Sequence, residues 1–196
     1  NVPPALKDGK TMIDQLEIMN NDIEASNEGV DEMTLCGGTY PPTAIDVKNY
    51  IALPNSNTHH IAGNVLSNSN TAGVGISLQG SNSDYVVGGN EIKFTTQSIS
   101  NVSFATDNGL VGIQLNYCDG ITLQDNLIYG SSIQSVFDSK FSKGMLFEES
   151  KNCVIKCKKI KYTKQGLYAY GDNTTAKGNI TDNKFKFNRN PLFTFD

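Results

Sequence analysis

Ile121-Thr122-Leu123-Gln124-Asp125-Asn126-Leu127-Ile128 reads apolar-x-apolar-x-x-Asn-x-apolar. Period-two alternation on each side of the Asn predicts a strand, a tight bend and a second strand. Asn suits the bend, because it tolerates the left-handed conformation and can hydrogen-bond locally. The same unit occurs as His59-x-Ile61-x-x-Asn64-x-Leu66, Tyr85-x-Val87-x-x-Asn90-x-Ile92 and Gly178-x-Ile180-x-x-Asn183-x-Phe185. A further copy, Cys153-x-Ile155-x-x-Lys158-x-Ile160, has Lys in the Asn place.

A second unit, Gly-apolar-x-apolar, falls between these copies: Gly75–Leu78, Gly112–Leu115, Gly144–Phe147 and Gly166–Ala169, continued by Pro191–Thr194 and preceded by Ala44–Val47. From its Gly to the next Asn or Lys bend is 15, 14, 14 and 17 residues, whereas the return from bend to Gly varies from 8 to 22. One side of each turn is nearly fixed and the other accepts insertions. Three short strands per repeat describe a coil of a parallel β-solenoid, in which stacking supplies the core that one turn lacks. The expected fold is therefore all-β, a right-handed parallel β-helix of about five to six rungs. Asn64, Asn90 and Asn126 should stack as a ladder, interrupted by Lys158 before Asn183.

The N-terminal part is read as a cap over residues 1–31. Met12, Leu16, Met19 and Ile23 recur at helical spacing, which predicts an amphipathic capping α-helix. A rival reading takes Ile18-x-x-Asn21-x-Ile23 as one more rung. The β-helix is expected over 32–196 and beyond, with Glu32–Cys36 and Ala44–Leu53 as first strands around Gly37-Gly38-Thr39-Tyr40.

Composition agrees with many strands and tight turns. The 196 residues include 22 Asn and 18 Gly, with 38% hydrophobic and 18% charged residues. No apolar run approaches the roughly 20 residues of a membrane span. The net charge of −4 gives no reason to expect a nucleic-acid partner. Charge is uneven, however. Residues 1–53 hold three Lys and nine acids, and residues 140–196 hold twelve Lys or Arg and five acids. Two differently solvated surfaces, or head-to-tail or polyanion contact through the basic end, both fit this asymmetry. Cys36, Cys118, Cys153 and Cys157 lack a zinc spacing and read as core thiols; no metal or cofactor is expected.

The order helix, strand, Gly-Gly-Thr-Tyr (37–40), strand, Leu53-Pro54-Asn55-Ser56-Asn57-Thr58, Ile61-Ala62-Gly63-Asn64 resembles the entry of pectate-lyase-like right-handed β-helices, especially bacteriophage tail-spike and polysaccharide-degrading members. The resemblance implies a polysaccharide or glycan partner, a homo-oligomer such as a trimer, and a virion-surface or extracellular location. A non-catalytic structural β-helix of a virion or surface appendage is the alternative. A copper-maturation type of β-helix is set aside because metal ligands are few. The polygalacturonase signatures Asn-Thr-Asp, Asp-Asp, Gly-His-Gly and Arg-x-Lys are missing: the only His residues are adjacent and Arg189 is the only Arg.

In enzymes of that superfamily, substrate lies along the sheet made here by the Gly-apolar-x-apolar strands. Its outward columns should be Asp46, Ser77, Gln114, Leu146, Tyr168, Phe193 and Lys48, Gln79, Asn116, Glu148, Tyr170, Phe195. Insertions 94–110 and 130–143 should wall a groove beside them. Asp46, Gln114, Asn116, Tyr168 and Tyr170 are the expected sugar contacts, since amides meet hydroxyls and aromatic faces meet C–H surfaces. Glu148 and Glu149 are the candidate catalytic carboxylates, although neighbours on a strand point to opposite faces. A depolymerase would be a glycoside hydrolase or polysaccharide lyase. Outward Leu146, Phe193 and Phe195 favour burial against something. The other sheets should offer Lys156, Lys159, Lys161, Lys184 and Lys186, with little for a sugar to stack on.

Overall fold

The computed structural model describes residues 6–7, 10–13, 15–25, 43–48, 50–52, 58–68, 73–80, 85–94, 110–130, 143–156, 159–171, 185–186 and 190–194. Strands β1 (Leu6–Lys7) and β2 (Lys10–Ile13) pair antiparallel. The first rung is β3 (Glu17–Met19), β4 (Asp22–Ala25) and β5 (Thr43–Lys48); β6 (Tyr50–Ala52) then runs parallel to β2. The second is β7 (His59–Ala62), β8 (Val65–Asn68) and β9 (Gly73–Gln79), and the third β10 (Tyr85–Gly88), β11 (Glu91–Phe94) and β12 (Leu110–Asn116). The fourth is β13 (Thr122–Gln124), β14 (Leu127–Tyr129) and β15 (Lys143–Glu148), and the fifth β16 (Val154–Lys156), β17 (Lys159–Lys161) and β18 (Gln165–Tyr170). Strands β19 (Phe185–Lys186) and β20 (Asn190–Thr194) belong to a sixth.

Corresponding strands stack in parallel into three sheets, of five, six and six strands. This is the expected parallel β-helix, with the Asn64, Asn90 and Asn126 units at the corner between the first and second sheets. The N-terminal expectation is corrected. Residues 10–13, 17–19 and 22–25 are strands, and no described residue is helical. Ile18 pairs with Ile61 and Ile23 with Leu66, so the rival rung reading holds. The helical stripe lost because a first rung laid on β7 and β8 satisfies their open edges, which a helix cannot do. Residues 32–40 lie outside the described residues, as do 95–109 and 131–142.

Inward columns follow the alternation. Ile61, Val87, Leu123 and Ile155 stack on the first sheet, and all four are fully buried. Leu66, Ile92, Ile128 and Ile160 stack on the second, and Ile76, Ile113, Met145 and Leu167 on the third. Cys118 and Cys153 are buried in this core as expected. Cys36 and Cys157 lie outside the described residues.

The Asn ladder forms, and its chemistry differs from a turn preference. The left-handed residue at each corner is the one before the Asn: Asn20, Gly63, Gly89 and Asp125. The Asn itself points inward and is fully buried at Asn64, Asn90 and Asn126. Asn90 Oδ1 accepts from the Asn64 N–H at 3.0 Å and from Asn64 Nδ2 at 2.9 Å, while Asn90 Nδ2 donates to Ile61 O and Asn126 Oδ1. Asn21 extends the ladder into the first rung through Asn64 Oδ1. A buried polar column is stable here because each amide meets partners in the rungs beside it. Lys158 lies outside the described residues.

The glycines of the second unit also acquire a reason. A Cβ on Gly112 would sit 2.5 Å from Gly144 O and 2.6 Å from Ile128 Cγ2; one on Gly75 would sit 2.7 Å from both Gly112 O and Ile92 Cγ2. The second and third sheets approach so closely at this column that only glycine fits.

Candidate functional site

The two outward columns of the third sheet are in register as the alternation requires. Asp46, Ser77, Gln114, Leu146, Tyr168 and Phe193 pair in turn. Lys48, Gln79, Asn116, Glu148 and Tyr170 do the same. Phe195 is outside the described residues. Every expected contact on the described strands is therefore on one face, with neighbours one rung, about 4.8 Å, apart.

That face is half covered. Val74, Val111 and Leu146 pack together outside the main core, against Tyr168 and Tyr170. Val111 is fully buried and Leu146 is 4% exposed. Leu146 is thus buried, as expected, and what covers it lies within the chain. What remains half-exposed is Gln114, Asn116, Glu148, Tyr168 and Tyr170. Gln114 Nε2 donates to Asn116 Oδ1 at 3.2 Å, and the rings of Tyr168 and Tyr170 are 5.8 Å apart. Asp46 lies at the N-terminal edge and forms an ion pair with Lys48 at 2.8 Å.

Glu148 and Glu149 do different things. Glu148 stands on the sheet, where its carboxylate accepts the Tyr170 O–H; partial burial and this anion hold the phenol well above its ordinary range. Glu149 turns the corner with φ 48°, in the column of left-handed residues Gly80, Tyr117 and Gly171. Its carboxylate lies over Gly171, where an added Cβ would meet it at 2.6 Å from Cδ. The pair is neither in-and-out, as alternation along a strand would have it, nor side by side on one strand face.

Sequence reasoning missed Lys143. It is 8% exposed, takes the outward place of Val74 and Val111, and holds Nζ 5.3 Å from the Tyr168 ring centroid. The signal was available: Lys143 precedes its Gly144 where the two earlier copies have Val. A cation over a tyrosine face is a favourable contact when shielded from water.

A family model described as "NosD: Periplasmic copper-binding protein (NosD)" matches residues 10–193. No curated protein and no solved structure matches the chain. The copper-maturation type of β-helix, set aside on the sequence, thus returns as the family. The donors among the described residues do not fit a copper ion. Copper asks for deprotonated thiolates, thioethers or imidazoles gathered at one point. Among the described residues, no three His, Cys, Asp or Glu side chains come together for a metal. The Cys118 thiol donates to Leu78 O, and the Cys153 thiol to Lys151 O. Burial pushes the Cys153 thiol up to about 12. His59 is fully buried, accepts the Leu16 N–H at Nδ1 and stacks on Tyr85 at 4.5 Å. These groups are core, and no metal step follows from them. The fold is another matter: parallel rungs recur through the described residues of the matched region, as the pectate-lyase-like type of β-helix requires, and on this match of nearly the full chain the protein belongs to the NosD family.

Proposed function

We propose that this protein is a β-helix of the cell envelope that binds an extended glycan along the open part of its third sheet. The observation that supports this most is the row Gln114, Asn116, Glu148, Tyr168 and Tyr170, half-exposed and in register. Amides and a carboxylate at rung spacing can take successive hydroxyls, and two tilted phenol rings offer apolar faces to sugar C–H groups. A cell-envelope setting is supported by the family's periplasmic description. A tail-spike trimer, expected on resemblance alone, gains no support from the match.

Glycan binding needs no catalyst, and in this reading Glu148 is first a hydrogen-bonding group shared between Tyr170 and a sugar. A depolymerase would add an acid or base role for it. Binding of the full chain to cell-wall and capsular glycans, followed by calorimetry, tests the reading. Tyr168→Ala with Tyr170→Ala should weaken binding at least tenfold. Glu148→Gln should keep binding, and should abolish oligosaccharide release if any occurs. Unchanged affinity in the double Tyr variant would sink the reading. A second reading, copper binding, is favoured by the family's description. It predicts stoichiometric copper in metal analysis of protein from the periplasm, retained when Tyr168 and Tyr170 are replaced.

A further inference from the structure

The outer face of the second sheet changes character along the axis. One column runs Asp22, Val65, Glu91, Leu127, Lys159, and the other Glu24, Ser67, Lys93, Tyr129, Lys161. Acids occupy the first rung and lysines the fifth. In the third rung the charges cancel, since Lys93 pairs with Glu91 at 2.9 Å. Beyond it, the described positions of both columns carry no acid. On the first sheet, Met19, Ala62, Gly88, Gln124 and Lys156 likewise end in a cation. Lys156, Lys159, Lys161 and Lys164 therefore lie along one rung, on its first and second sheets and the corner after them. Among the described residues, Lys156, Lys159 and Lys164 have no ion-pair partner.

The expectation that this surface has little to stack on is wrong. Tyr129 stands one rung before Lys161, and Tyr162 follows Lys161 at a corner with φ 56°. The Lys161 Nζ lies 5.6 Å from the first ring centroid and 5.9 Å from the second. Both rings are half-exposed. An ammonium held beside two open aromatic rings, with three more on the same rung, joins charge to apolar stacking surface.

We propose that this basic, tyrosine-flanked belt is a second binding site, for an acidic polysaccharide whose carboxylates meet the lysines and whose sugar faces meet Tyr129 and Tyr162. Lysines gathered on one rung repel one another, and a polyanion relieves that repulsion while gaining from it. Lys159 and Lys161 lie two residues apart on the outer face of β17, about 7 Å, so an acidic chain laid along the rung meets both with successive carboxylates. Double-stranded nucleic acid fits less well: the net charge is −4, and the acidic early rungs lie on the same face. The site is on a different sheet from the row of Gln114 to Tyr170 and rests on nothing proposed for that row.

The test uses the full chain and polygalacturonate, with a neutral glucan and duplex DNA as comparison probes, at several salt concentrations. Polygalacturonate should bind with an affinity that falls steeply with salt. Lys159→Ala with Lys161→Ala should weaken it at least tenfold, and Tyr129→Ala several-fold without flattening the salt slope. Tyr117→Ala, an exposed corner residue outside both sites, should leave it unchanged. Circular dichroism and thermal unfolding check that each variant folds; Lys159→Gln with Lys161→Gln provides a gentler pair if the alanines unfold. No binding of polygalacturonate, binding indifferent to the lysine pairs, or tighter binding of DNA overturns the proposal.

Discussion

Cys153 is a nucleophile by type and inert by position. Burial is the largest cause that raises its thiol from 9.0 to about 12, so the thiolate is scarce at neutral pH. Maleimide at pH 7.5 should label Cys153 only after denaturant is added, as mass spectrometry of digests would show. The sign for stability follows from the same shift. The native state favours the protonated thiol, so its contribution is full below pH 9 and is lost as pH rises toward about 12. Tyr170 acts in the same direction from its own raised value. Denaturation midpoints should therefore fall in strong alkali, and Cys153→Ala should fall less steeply than the parent. Gly112 is the other single-residue case. Gly112→Ala forces a methyl against Gly144 O and Ile128, and overpacking against backbone should cost about 1–3 kcal/mol or more, measured by urea unfolding.

At the scale of elements, the Asn ladder is the joint between two sheets. Asn90→Ala removes the acceptor of the Asn64 N–H and the donor to Ile61 O, two buried backbone groups. Asn126 Oδ1 keeps the Asn90 N–H, and Asn64 Nδ2 keeps Ile18 O. Two groups lose their ladder partner at about 1–3 kcal/mol each, so the expected loss is about 2–6 kcal/mol. Asn21→Ala removes only a side-chain donor to Asn64 Oδ1, which still accepts the backbone N–H of residue 21. It should cost about 1 kcal/mol. Equal losses at the two positions, measured by chemical denaturation, would show that the ladder is not what joins the rungs.

The whole molecule behaves as a stack in which each rung meets only its neighbours. Its interior columns are continuous from Ile61 to Ile155 and from Ile76 to Leu167. Central rungs are covered on both sides, and β3, β4 and β5 form one edge of the three sheets. Hydrogen exchange should be slowest in β10 to β14 and faster in β3 and β4, because opening an edge rung breaks half as many contacts. Uniform protection from first rung to fifth would contradict this picture. The charge gradient belongs to this scale too. The acids of the first rung and the lysines of the fifth lie far apart in sequence, and only stacking aligns them in columns.

Much of this was legible in the chain because a solenoid repeats its local rules. Period-two alternation around each Asn predicted the strands and the corner. The constant interval from Gly to bend predicted the register of the third sheet, and with it the row from Gln114 to Tyr170. The N-terminal rung was misread because Met12, Leu16, Met19 and Ile23 share a helical period, whereas the rung turns Ile18 and Ile23 inward and leaves Met19 exposed; only the open edge of β7 and β8 decides between the two. The chain could show that Asn and Gly recur. It could not show that Asn is inward and bonded from rung to rung, nor that Gly recurs because a neighbouring carbonyl leaves no room for Cβ. Cover over Leu146, the placing of Lys143 against Tyr168, and the two rings around Lys161 join residues from different rungs and corners. Those contacts depend on how the turns pack in space, so the tertiary structure alone decided them.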